Sequence, residues 1–196
     1  MGVTVNLRKG QRVELGKGIS KFRIELTWQA SRKAESWDLD IMAIELDNEQ
    51  LLANNDASSF VFYNNLQDRN KALVHSGDDR TGEGNGEEMK LDLSKLNPNV
   101  SEIIFILNIF ESMQKNQNFG EIKNAVLRIY YNENTIPDLV YKLEDDASHN
   151  TATVLQICSI YKSGETWKVR AINEGVTSTL TSVLSNYGLG STDNSI

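Results

Sequence analysis

Two short stretches of the chain concentrate oxygen donors at spacings that could hold a cation. In WDLDIMAIEL (37–46), Asp38 and Asp40 are separated by one residue, and in a strand residues i and i+2 point to one face. That face continues with Met42 and Ile44. The two carboxylates then border an apolar surface, where they repel each other and are costly to desolvate unless compensated. A cation would relieve them, and so would Lys or Arg partners or exposure at the strand's start. The second stretch, SGDDRTGEGNGEE (76–88), sets Asp78, Asp79, Glu83, Glu87 and Glu88 among four glycines, with Arg80 as its one base.

The chemistry of the second stretch narrows under elimination. A phosphate cradle interleaves glycines with backbone N–H groups and a lysine, whereas this stretch carries a net charge of −4 and repels anions. An EF-hand register starting at Asp79 places Thr81, Glu83 and Gly84 correctly but puts Lys90 where the closing Glu belongs. Zinc, copper and iron favour His and Cys, and only His75, His149 and Cys158 are available. Calcium accepts six to eight hard oxygens in a flexible shell, and magnesium demands stricter octahedral geometry. The donor set therefore points to Ca2+, against the plain alternative of a solvated acidic turn.

The elements that must position these residues read as strands. Segments 3–7, 22–28, 39–46, 60–63, 103–110, 125–131, 138–143 and 167–172 are short and rich in β-branched or aromatic residues, with turn-forming pieces between them. No helical pattern of ten or more residues separates consecutive strands, which argues against repeated βαβ units. Val176, Leu180, Val183, Leu184 and Tyr187 recur at helical spacing before Gly188. Residues 151–162 fit strand or helix equally. The expectation is a mostly β protein: a β-sandwich of two antiparallel-rich sheets with a few short helices, including a C-terminal one. One domain over 1–190 and a flexible tail over 191–196 complete it.

Composition bounds the partners. With 20 basic and 27 acidic residues the chain carries −7, and duplex binding requires Lys and Arg to neutralise phosphates, so nucleic acid is not an expected partner. The longest apolar stretch, IIFIL at 103–107, is too short to span a bilayer. One cysteine excludes a disulfide framework. The N-terminus lacks the apolar run of a signal peptide, and the expected location is the cytoplasm.

The ordered set of motifs resembles the TerD domain of tellurite-resistance and general stress proteins, over roughly residues 3 to 188. VNLRKGQRVEL resembles the family's opening strand and lysine-glycine turn, WDLDIMAIEL its DLD strand, and FVFYNN (60–65) the strand after it. HSGDDRTGEG (75–84) resembles the glycine- and aspartate-rich hallmark, and NFGEIKNAVLRI and ETWKVRAINEGV the later blocks. The resemblance implies a β-sandwich-like cytoplasmic protein that binds calcium through the DLD strand and the loop. It also implies protein partners in membrane-associated stress complexes, and no established catalytic activity. Some relatives have been described as cyclic-AMP-binding. Carried over, Asp38 and Asp40 match the strand acids and Asp78 the loop aspartate. Asp79 stands where Asn is usual, and Thr81, Gly82, Glu83 and Gly84 fit. NGEE (85–88) is about two residues shorter than the family's run. Either Glu87 and Glu88 supply its oxygens on longer stems, or one of two neighbouring metal positions is weakened or lost.

Other reactive residues carry less. His75 beside a strand end is expected to be structural, His149 to lie in a turn, and Cys158 to be a small buried hydrophobe. With no base to partner a thiol, an enzyme is not expected. Trp28, Trp37 and Trp167 are expected to pack rather than to bind sugar. The leading expectation is a non-enzymatic calcium-binding stress protein whose ion orders the acidic loop for a protein partner. Its rival is a calcium-dependent phospholipid-binding module, disfavoured because the loop offers only Arg80 as a lipid contact; cyclic-nucleotide binding has no residues to support it.

Overall fold

The computed structural model describes residues 4–29, 37–79 and 86–189. In chain order these form β1 (Val5–Asn6), β2 (Arg12–Glu14), β3 (Lys21–Gln29), β4 (Leu39–Leu46), β5 (Phe60–Val61), β6 (Leu73–His75), β7 (Glu87–Asp92) and β8 (Glu102–Ile109). A one-turn helix α1 (Ser112–Lys115) follows, then β9 (Lys123–Tyr131), β10 (Leu139–Lys142), β11 (Val154–Ser163), β12 (Thr166–Val176) and α2 (Leu180–Ser185). The tail 191–196 lies outside the described residues.

The strands make two six-stranded sheets, β1-β10-β9-β3-β7-β6 and β2-β12-β11-β8-β4-β5. Pairing is antiparallel except between β1 and β10. Alternation explains the layering. In β3 the side chains of Phe22, Ile24, Leu26 and Trp28 are buried while those between them stay partly exposed, as a strand with one wet face requires. Ile24 and Leu26 meet Leu39, Ile41, Ile103 and Phe105 of the second sheet in one core. Each fully buried side chain of this size contributes about 1.5–3 kcal/mol.

The second sheet is covered on its outer face as well. Met42, Ile44, Leu46, Ile104 and Ile106 pack beneath Phe60, Phe62, Val183 and Leu184, so all eight residues of β4 are buried. Helix α2 supplies the lid. The Thr179 hydroxyl accepts the Ser182 N–H at its start, and Gly188 follows its end at φ +80°. The helical spacing thus locates α2, although Val176 belongs to β12.

β11 settles the ambiguous 151–162 segment as a strand. A bulge between Gln156 and Cys158 shifts its register against both neighbours, so Leu155 and Ile157 face the core before it and Cys158 and Ile160 after it. That change of phase is what blurred the period in the sequence. Each sheet ends on strands of two or three residues: β1 and β6 in one, β2 and β5 in the other.

Candidate metal centre

The start of β4 is pinned from both sides. The buried Trp28 indole donates its Nε1–H to the Trp37 carbonyl at 3.0 Å, and the Phe110 N–H donates to the Asp38 carbonyl at 2.9 Å. All three tryptophans are taken up in packing, Trp28 and Trp37 buried and Trp167 against the core. Asp38 and Asp40 lie on the face that continues with Met42 and Ile44, as their spacing requires. Opposite Asp40 on β8 stands Asn108, its Nδ2 3.5 Å from Asp40 Oδ2.

The loop arrives from β6. The Ser76 N–H donates to the Glu88 carbonyl at 2.8 Å, and its hydroxyl accepts the Glu88 N–H at 3.0 Å. Gly77, at φ +103°, then turns the chain. Asp78 comes to rest beside the strand acids: one carboxylate oxygen each from Asp38, Asp40 and Asp78 lies within 4.8 Å of the others. Asp78 is exposed, Asp38 half-buried and Asp40 only 3% exposed. Burial first, then the charges of Glu87, Asp38 and Asp78, push the Asp40 carboxyl up to about 8.

Glu87 occupies a different place from these three. It starts β7 on the inner face, fully buried in line with Met89 and Leu91. Its Oε2 accepts the Ile41 N–H at 2.6 Å and its Oε1 the Asp79 N–H at 3.3 Å. His75, also buried, lies with Nε2 2.9 Å from the Ile41 carbonyl and 3.6 Å from Glu87 Oε2. Its Nδ1 accepts the Gly77 N–H at 2.9 Å, which leaves Nε2 as the donor to Ile41. Gly86 makes this start of β7 possible: at φ +72° it passes so close to β3 that a Cβ would collide with the Leu26 carbonyl.

Glu88, the next residue, points to the opposite face. There Arg23 reaches it at 3.4 Å and Lys90 at 3.4 Å, in a network where Arg23 also pairs Glu25 at 2.9 Å and lies over the Tyr130 ring. The structure therefore brings together Asp38, Asp40 and Asp78 and does not bring Glu88 to them. Asp79 touches the cluster's support through its N–H. Thr81, Gly82 and Glu83 lie outside the described residues. His149 sits in a short 3-10 turn, buried rather than solvated. Cys158 lies in the core, its thiol pushed up by burial. Sequence reasoning did not see β7 or the pairing of His75 with Glu87, although alternation in EEMKLD places Glu87 with Met89 and Leu91.

The three aspartates fit a hard divalent cation. They supply only oxygen, from two separate chain segments, and one of them is a buried carboxyl crowded by like charge that a cation would neutralise. Among the described residues this is the one group of three metal-ligating side chains that converges in this way.

Residues 3–187 match the TerD domain family. The chain is 36% identical over 195 residues to General stress protein 16U of Bacillus subtilis, covering 95% of this chain and 98% of that one. It is 34% identical over 193 residues to Tellurium resistance protein TerD of Serratia marcescens, covering 95% and 98%. Among solved structures, a homologue of telluride resistance protein (TerD) from Streptomyces coelicolor A3(2) aligns with a TM-score of 0.66 at 23% identity, over 89% of this chain and 99% of that one.

Proposed function

The chain belongs to the TerD family of tellurite-resistance and stress-response proteins, and from that premise we propose that it works as a calcium-binding module rather than a catalyst. Asp38, Asp40 and Asp78 hold the ion, joined by oxygens of the 79–83 segment. Bound calcium neutralises the acidic loop and fixes it against β4, presenting an ordered surface to a protein partner. The observation that carries this reading is the convergence of the three carboxylates, one of them buried. Two other reactive side chains are already taken up: Cys158 is a buried thiol, and both ring nitrogens of His75 are engaged by backbone.

Thermal unfolding in EDTA, then in calcium and separately in magnesium, tests it. A ligand at about a hundred times its Kd stabilises the native state by roughly 2.7 kcal/mol, which for a chain of this size raises Tm on the order of 5–10 °C. A shift of that size selective for calcium is expected. No shift at millimolar calcium would reduce the cluster to a solvated acidic turn.

A second reading, calcium-dependent docking on anionic lipid, is favoured by one observation. Phe110 and Met113, 37% and 59% exposed, stand on the turn that begins with the Phe110–Asp38 hydrogen bond. Liposome cosedimentation with and without calcium separates it from the first. Pelleting that needs both calcium and Phe110 would favour the lipid.

A further inference from the structure

β4 has an open edge where the candidate centre begins. β5 pairs with it only at Ala43 and Ile44, so the N–H and C=O of Ile41 on that side meet no strand. Unsatisfied backbone groups in a buried strand cost about as much as a lost hydrogen bond. Two side chains of the facing sheet take the missing strand's place: Glu87 accepts the Ile41 N–H, and His75 donates to the Ile41 carbonyl. The same two side chains hold the loop. Glu87 accepts the Asp79 N–H with its other oxygen, and His75 accepts the Gly77 N–H with its other nitrogen.

Asp40 is the residue before Ile41, and Asp78 lies between Gly77 and Asp79. Asp78 is therefore bracketed by backbone that His75 and Glu87 grip, and Asp40 adjoins such backbone on one side. We propose that His75 and Glu87 are positioning residues of the cation site, which fix strand and loop at the separation the aspartates need, and that neither is a ligand. Both Glu87 oxygens are committed to N–H groups, and the carboxylate lies between the sheets in line with Met89 and Leu91, whereas Asp40 lies on the outer face with Met42. This rests on the calcium reading for the identity of the ion, but the grip itself does not.

Europium(III), a hard trivalent stand-in for calcium, reports its bound waters through luminescence lifetimes in H2O and D2O. In the full-length chain, Asp78→Asn should add bound water. Glu87→Gln should instead weaken europium binding about tenfold or more, in the range of outer-shell substitutions at metal sites, with the number of bound waters unchanged. His75→Asn, which keeps an acceptor for Gly77 and loses the donor to Ile41, should weaken binding without adding water. Extra water in Glu87→Gln would make Glu87 a ligand, and unchanged affinity in both variants would remove the positioning role. Amide exchange read by NMR without metal stands apart from calcium. Glu87→Gln should speed exchange at Ile41 and Asp79, and unchanged rates there would overturn the grip. Wild-type protein that binds no europium but shows the exchange effect would sink the calcium reading and leave the grip standing. Should Glu87→Gln fail to fold, the His75→Asn pair of measurements decides alone.

Discussion

β4 carries a buried carboxyl near each end, and the two have different fates. Asp40 is 3% exposed and Glu45 2%, and both are pushed up to about 8, chiefly by burial. Both also face like charge: Glu87, Asp38 and Asp78 around Asp40, Asp68 and Asp56 around Glu45. What separates them is what the neighbours' oxygens are doing. Around Asp40, oxygens of three aspartates converge. Around Glu45, Asp68 already accepts the Asn70 and Leu73 N–H groups, and Asp56 accepts Ser58 N–H and pairs Arg69 at 2.8 Å. Among the described residues no triad of ligating atoms forms there. Crowded, buried acid is common to both ends, and only convergence makes one of them a candidate for a cation.

Replacing Asp38 and Asp40 together by Asn should abolish the calcium-dependent rise in Tm, a loss of at least a hundredfold in affinity by calorimetry. The calcium-free fold should survive, since the change removes repulsion. Glu45→Gln should leave calcium affinity untouched, and an effect on it comparable to the double variant would erase the distinction between the two ends.

The next largest effect is on the pH dependence of stability, measured in saturating calcium so that the ion governs Asp40. Glu45 has a folded pKa of about 8, raised from 4.5, so the native state keeps its proton through a window in which the unfolded chain releases it. Stability from this group is whole below about 4.5, falls as pH rises through that window, and levels off above about 8. The decline should amount to about 5 kcal/mol at most, and Glu45→Gln should flatten it. Identical pH profiles of Tm in the two proteins would show that Glu45 is not held protonated.

The smallest effect belongs to Arg69. Its side chain is 77% exposed, so Arg69→Ala should lower stability by no more than about 1 kcal/mol and leave calcium titrations unchanged. A larger loss, read by urea unfolding, would mean that the Asp56 pair anchors the Glu45 end.

Legibility in the sequence followed the same division. Asp38 and Asp40 were readable because a period of two is a strong local rule, and Asp78 because its glycine context marks a turn. Glu87 and Glu88 look alike as loop oxygens, yet adjacent residues in a strand face opposite ways, and the polar look of EEMKLD conceals β7. Nothing local in the sequence marks Glu45. It follows Leu39, Ile41 and Ala43 on the inner face, and its burial is decided by the chain around Asp56 and Asp68, far away in sequence. His75 was expected to be structural, but which backbone it would grip depends on how the two sheets register. Sequence patterning does not encode that register locally.

The two- and three-residue strands that close both sheets have a bearing on life among damaged proteins. An unpaired strand edge is a template onto which a misfolded neighbour can zip its own backbone, and the strength of that zipper grows with the length of edge on offer. Edges as brief as Val5–Asn6 and Phe60–Val61 offer an incoming chain two residues each, and at Ile41, beyond the reach of β5, Glu87 and His75 already hold the backbone groups of β4. Closing strands this short work against edge-to-edge recruitment into a neighbour's aggregate.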